Sequence, residues 1–253
     1  MVRGLDIWKD YFADYTDSYV LIGGAACNIY EEEFAMNPRA TKDLDLILVV
    51  EALTPEFGSR FWNFIREGNY ASRQIGNHGH EYYRFINPEN RAYPQQIELF
   101  ARRTGLLTLP ADALIEPIHI DDELSSLSAI LMDDDYYQFT LSNSQIVDGV
   151  HLANVETLIC LKAKAYLDLD TRKQAGEAID SRNIEKHKKD IMYLAAMIPG
   201  DASYQLPDSI KEDIKAFYAS VKDSLPNADF MKSANLARVK PEDLLEVVMN
   251  SMV

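Results

Sequence analysis

Residues 43–50 read Asp-Leu-Asp-Leu-Ile-Leu-Val-Val, and this stretch most limits what the chain can fold into. It is apolar, partly β-branched, and free of Gly and Pro, which reads as a buried strand. Strand side chains alternate between faces. Asp43 and Asp45 therefore share one face, and Leu44, Leu46 and Leu48 share the other. The leucine face requires a core. The opposite face carries two carboxylates whose Cα atoms lie roughly 6–7 Å apart at the usual strand rise. Carboxylates this close repel each other unless a cation sits between them. Hard oxygen ligands of this kind suit Mg²⁺, which also takes phosphate oxygens and waters. A solvated strand end carries the same residues.

The rest of the chain supplies the context. Residues 5–17 read as a short amphipathic helix, and residues 19–22 as a strand that runs into Gly23-Gly24. Helix-forming residues follow to Glu33, and Asn37-Pro38 breaks that run. Thr54 and Pro55 are placed as N-cap and first residue of a helix with Phe57, Phe61, Phe64 and Ile65 on one face. Residues 70–75 and 81–86 predict two strands joined by a turn at Gly76-Asn77-His78-Gly79, and residues 95–101 a third. Residues 115–120, 127–132 and 136–141 are expected to be extended, with Asp133-Asp134-Asp135 as a solvated turn. From His151 onward the pattern predicts helices. The fold class is accordingly α/β (α+β), with a mixed-sheet domain over 1–150 and a helical domain over 151–253.

Composition narrows the function. The longest apolar runs fall far short of a membrane span, and no signal-peptide pattern opens the chain, so a cytoplasmic protein with no membrane partner is expected. Cys27 and Cys160 lie among apolar residues with no metal-ligand spacing, which suggests buried thiols. His78 and His80 read as a hairpin feature. The net charge of −15 opposes broad nucleic-acid binding. Between Cys160 and Asp190, however, eight Lys and Arg stand against six Asp and Glu. Such a zone suits either a polyphosphate or solvated helix faces.

Gly23-Gly24 between a strand and a helix lets backbone amides approach phosphate. Gly23-Gly24-Ala25-Ala26, followed by Arg39-Ala-Thr41-Lys-Asp43-Leu-Asp45-Leu46, resembles the signature of the nucleotidyltransferase superfamily that includes DNA polymerase beta. Within it, the chain is most similar to the AbiEii-type abortive-infection toxins. The resemblance covers roughly residues 20–50, 95–101 and 155–195, and its later motifs match Lys162 and the Lys186…Asp190 pair. His187 stands where many relatives carry an acidic residue.

The resemblance implies an NTP substrate and two-metal phosphoryl transfer with Mg²⁺ or Mn²⁺ held by Asp43, Asp45 and Glu98. It places Gly23, Gly24, Arg39 and Thr41 at the nucleotide, and Lys162, Lys186 and Asp190 in the catalytic set. The acceptor it suggests is an RNA end, tRNA particularly, or a protein hydroxyl, with an antitoxin as possible partner. A small hydroxylated acceptor, or a nucleotide-binding module without transfer, fits the same residues.

Overall fold

The computed structural model describes residues 2–34, 36, 41–49, 52–77, 80–101, 130 and 133–253. In chain order the elements are α1 (Leu5–Tyr11), a 3-10 turn (Ala13–Ser18), β1 (Tyr19–Ile22), α2 (Gly23–Glu33), β2 (Asp43–Leu48) and α3 (Pro55–Gly68). Next come β3 (Ala71–Asn77), β4 (His80–Ile86), β5 (Gln96–Ala101), α4 (Asp134–Ser142), β6 (Ser144–Val147) and β7 (Val150–Ala153). Five helices complete the described chain: α5 (Val155–Gln174), α6 (Ser181–Ala195), α7 (Asp208–Val221), α8 (Ala228–Ser233) and α9 (Pro241–Met252). The fold is α/β, with one mixed sheet in the order β3-β4-β5-β2-β1-β7-β6. The pairs β2/β5 and β1/β7 are parallel and the others antiparallel.

Contacts divide the chain into two compact units. One draws on Met1–Asn28, Ala40–His119 and Ser144–Ala153, the other on Ile29–Arg39, Ile120–Asn143 and Asn154–Val253.

In the first unit, the leucine face of β2 meets its core as expected. Leu44, Leu46 and Leu48 are fully buried, with Ile97 and Leu99 of β5 and Phe85 of β4 beside them in register. Helix α3 supplies the opposing layer: Phe61 and Trp62 stand edge-on to Phe85 at 5.4 and 5.7 Å. Helix α1 joins through Trp8, edge-on to Tyr19 of β1 and to Phe64 of α3. These ring contacts add directionality to the burial that drives the layer together. Thr54 caps α3 by accepting a hydrogen bond from the Phe57 amide, with Pro55 at the first helical position. Strands β3 and β4 pair through Asn77↔His80. His78 and Gly79 lie outside the described residues, as do the segments 115–120 and 127–132 apart from Ile130.

Two expectations are corrected. Residues 136–141 are not extended; they lie in α4. The Asp133 carboxylate caps that helix, accepting from the Asp135 and Tyr136 amides, and Asp134 and Asp135 sit in the first turn. Negative charge there offsets the helix dipole. Tyr136, Tyr137, Phe139 and Thr140 are the buried residues, a helical spacing. The chain is also not helical from His151: β6 and β7 form a hairpin over Asp148-Gly149, both with positive φ of 48° and 78°. That is the two-residue turn that matches strand twist. Helix begins at Val155.

In the second unit, α5 packs against α6 and α7, and α9 against α6 and α7. Lys164 of α5 donates to both carboxylate oxygens of Asp213 on α7, at 2.9 and 2.8 Å, and Tyr136 of α4 donates to the same group at 3.0 Å. Burial, reinforced by Asp213, pushes the Tyr136 phenol far above its ordinary pKa. Neither cysteine forms a disulfide, and both are buried. Burial first, then Glu156 and Asp213, raises the Cys160 thiol well above its ordinary value. Only the thiolate is nucleophilic. Ellman's reagent is therefore expected to leave the native protein unlabelled and to titrate both thiols after denaturation. Labelling of the native chain at the rate of a free thiol would contradict this.

Candidate active site

The candidate site lies within the first unit, on the sheet face opposite α3. It starts from register. Antiparallel β1 sets Ile22 opposite Asp45, and parallel β5 sets Gln96 beside Asp43 and Glu98 beside Asp45. Antiparallel β4 then sets Arg84 opposite Glu98. Residues opposite each other in a sheet share a face. Asp43, Asp45, Gln96, Glu98 and Arg84 thus form one polar strip across three strands, spaced about 4.8 Å from strand to strand. Asp43 and Asp45 are half-buried, as is Thr41 just before the strand.

Gly23 completes the arrangement. It is the first residue after β1 and opens α2, with φ +68°. A Cβ built there would overlap Asp45 Oδ2 and lie 2.7 Å from its Cγ. Glycine is required on two counts: the left-handed backbone and the closeness of the carboxylate. The turn and the paired carboxylates, twenty residues apart in sequence, therefore meet in space. Gly24 follows in the first turn of α2, whose eleven residues give a helix N-terminus at the same point.

Glu98 has a different environment from the two aspartates. Its Oε1 accepts from Arg84 Nε at 2.8 Å and from Gln96 Nε2 at 2.7 Å, and forms an ion pair with Arg84 Nη2 at 2.7 Å. The two ion-pair partners keep only 13% and 9% of their side-chain surface exposed. Sequence reasoning missed Arg84 and Gln96. The available signal was a cation in the apolar stretch 82–86, but its partner depends on a strand register set by the long 87–95 connection.

The remaining residues singled out from the sequence are not part of this strip. Arg39 lies outside the described residues. Lys162, Lys186 and Asp190 belong to the second unit. Lys162 Nζ donates to Asp190 Oδ2 at 2.7 Å, joining α5 to α6, with 8% and 4% of the side chains exposed. Lys186 sits one turn before Asp190 on α6, half-buried. Several cations of the basic zone around them form ion pairs. Lys164 pairs with Asp213, Arg172 with Asp168 and Glu177, Arg182 with Asp180, and Lys188 with Glu185.

The donor chemistry at Asp43 and Asp45 fits a hard divalent cation. Among the described residues, no group of three or more His, Cys, Asp or Glu side chains is gathered closely enough to hold an ion. An ion at the aspartate pair would complete its shell with phosphate oxygens and water, the usual habit of Mg²⁺. None of the described helices is long and apolar enough to cross a membrane.

No family model and no curated protein matches the chain. Among solved structures it is similar to an antigenic nucleotidyltransferase-like protein from Paracoccidioides brasiliensis, at 15% identity and a TM-score of 0.45, over 92% of this chain and 94% of that one.

Proposed function

We propose that this chain is a metal-dependent nucleotidyltransferase, moving a nucleoside monophosphate from an NTP to an acceptor hydroxyl on an RNA end, tRNA particularly, or on a protein. The observation that carries the reading is the meeting of Gly23 with Asp45, which sets a helix-opening glycine turn against a carboxylate pair. Asp43 and Asp45 would hold Mg²⁺ or Mn²⁺, which supplies charge neutralisation to the triphosphate when bound. Gly23 leaves open the space a side chain would fill, so phosphate oxygens can approach the backbone. The first amides of α2 point their partial positive charge at the same anion. The acceptor oxygen attacks the α-phosphorus, the bond to the bridging oxygen breaks, and pyrophosphate leaves as the hydroxyl proton passes to solvent. Positioning and preorganised charge account for most of the acceleration in such chemistry.

A second reading, a nucleotide-binding module without transfer, is favoured by one observation: the Glu98 carboxylate already accepts from Arg84 and Gln96.

Melting curves test the first reading and product analysis separates the two. Mg²⁺ with NTP at a hundred-fold excess over Kd should stabilise the wild type by about 2.7 kcal/mol, roughly 5–10 °C for a chain of this size. Asp45→Asn should fold normally and gain almost nothing. Equal gains in both proteins, or none in either, would reduce the aspartates to a polar strand end. Release of pyrophosphate on adding total RNA or lysate supports transfer; nucleotide-dependent stabilisation without it supports the binding module.

A further inference from the structure

We propose that Arg84 takes the electrostatic place of a second divalent ion, so that this site binds one metal ion and not two. The inference rests on the metal-dependent reading above and refines it. In a two-ion arrangement, Asp45 and Glu98 would share the second cation. Register does bring Glu98 beside Asp45 on the same face. The Glu98 carboxylate is already paired with a cation, however. Oε1 accepts from Arg84 Nε at 2.8 Å and from Gln96 Nε2 at 2.7 Å, and Arg84 Nη2 forms an ion pair with it at 2.7 Å.

The other oxygen remains, but an ion bound there would stand beside a fixed guanidinium charge, and like charges repel at that range. A metal entering at Oε1 would have to displace charge-assisted bonds that are largely shielded from water. Mg²⁺ resists such competition, because it gives up its own water reluctantly and demands near-octahedral geometry. Arg84 opposes Glu98 in register from the neighbouring strand, so the sheet itself holds the cation in place. Guanidinium is always charged, and its fork matches a carboxylate. Glu98 is thereby neutralised at the cleft, and its repulsion toward the Asp43/Asp45 pair is removed without metal. Arg84 is a positioning residue in this scheme. Asp43 and Asp45 remain the ligands of a single ion whose other ligands are phosphate and water.

The experiment is a Mn²⁺ titration of the full chain at physiological salt, with a non-hydrolysable NTP analogue, reading bound ions per chain by the loss of the free-ion EPR signal. The wild type should bind one ion, and Asp45→Asn should lose it. E98Q should still bind one, because Glu98 is not a ligand. R84Q frees the carboxylate and should show two ions per chain, whereas R84K, which keeps a cation, should show one. Melting curves identify which variants are folded at the titration temperature. Should R84Q prove unfolded, wild type against E98Q decides alone. Two ions in the wild type, falling to one in E98Q, would overturn the proposal, as would a folded R84Q that binds one. No ion in the wild type would overturn the metal-dependent reading itself, and this inference with it.

Discussion

Gly23→Ala is expected to abolish the stabilisation of the protein by Mg²⁺ and NTP, and to lower its melting temperature in their absence. The left-handed backbone at φ +68° costs an alanine about 1–2 kcal/mol. The larger effect falls on Asp45. The new methyl overlaps Oδ2 and presses on Cγ and Cβ, so the carboxylate must turn away from the face it shares with Asp43. A ligand pair whose members no longer face the same ion cannot hold it. Gly4→Ala is the control. Gly4 has a similar φ of +76°, but its added Cβ meets the Pro94 nitrogen and the Tyr93 carbonyl carbon, which are backbone atoms and cannot swing aside. That variant should lose at least as much stability, yet the fraction that folds should keep its nucleotide response. Melting curves with and without Mg²⁺ and NTP read both effects. A Gly23→Ala protein that still gains as the wild type does would detach the glycine turn from the nucleotide.

Lys162→Met should be among the most destabilising single changes in the helical unit, and should spare nucleotide binding. The Lys162–Asp190 bond lies almost wholly out of water between α5 and α6. Removing one member of a buried ion pair costs about 3–5 kcal/mol. For a chain of this length that is a fall of roughly 6–20 °C in melting temperature. The double change Lys162→Met with Asp190→Leu removes both charges and should recover most of the loss. The opposite outcome is equally readable. A normal melting temperature with a lost nucleotide response would give Lys162 to the triphosphate, as the family resemblance implies.

How far the sequence can be read depends on where each element's decision is made. Strand β2 and helix α3 are legible because their signals are local: an alternation with a leucine face, and a Thr-Pro start ahead of an aromatic stripe. Helix α4 is not, since Tyr136, Tyr137 and Phe139 are good strand residues and only the Asp133 cap and a helical burial spacing outweigh them. The β6/β7 hairpin carried its Asp148-Gly149 turn in plain view, but β6 is four residues long with no buried face to set an alternation. The convergence of Gly23 with Asp45 is implied by motif, but the antiparallel pairing of β1 with β2 that produces it has no local signal. The Arg84–Glu98 pair depends on register across a connection whose length sets no turn type, and periodicity is silent about that.

The order in which the sheet can be completed follows from its pairing. Leu21 of β1, an early and central strand, takes Leu152 of β7 as its parallel neighbour. On a ribosome, β1 and β2 emerge long before β7 does. One flank of β1 therefore keeps open amides and carbonyls through most of synthesis, and an open strand edge invites pairing with other chains. Long-range parallel closure is also slow, because its loop must be ordered before the contact returns any energy. A fragment that stops short of β7 inherits that open edge permanently. Preparations truncated ahead of Val150 should accordingly collect in aggregates, whatever the soundness of the leucine core they already contain.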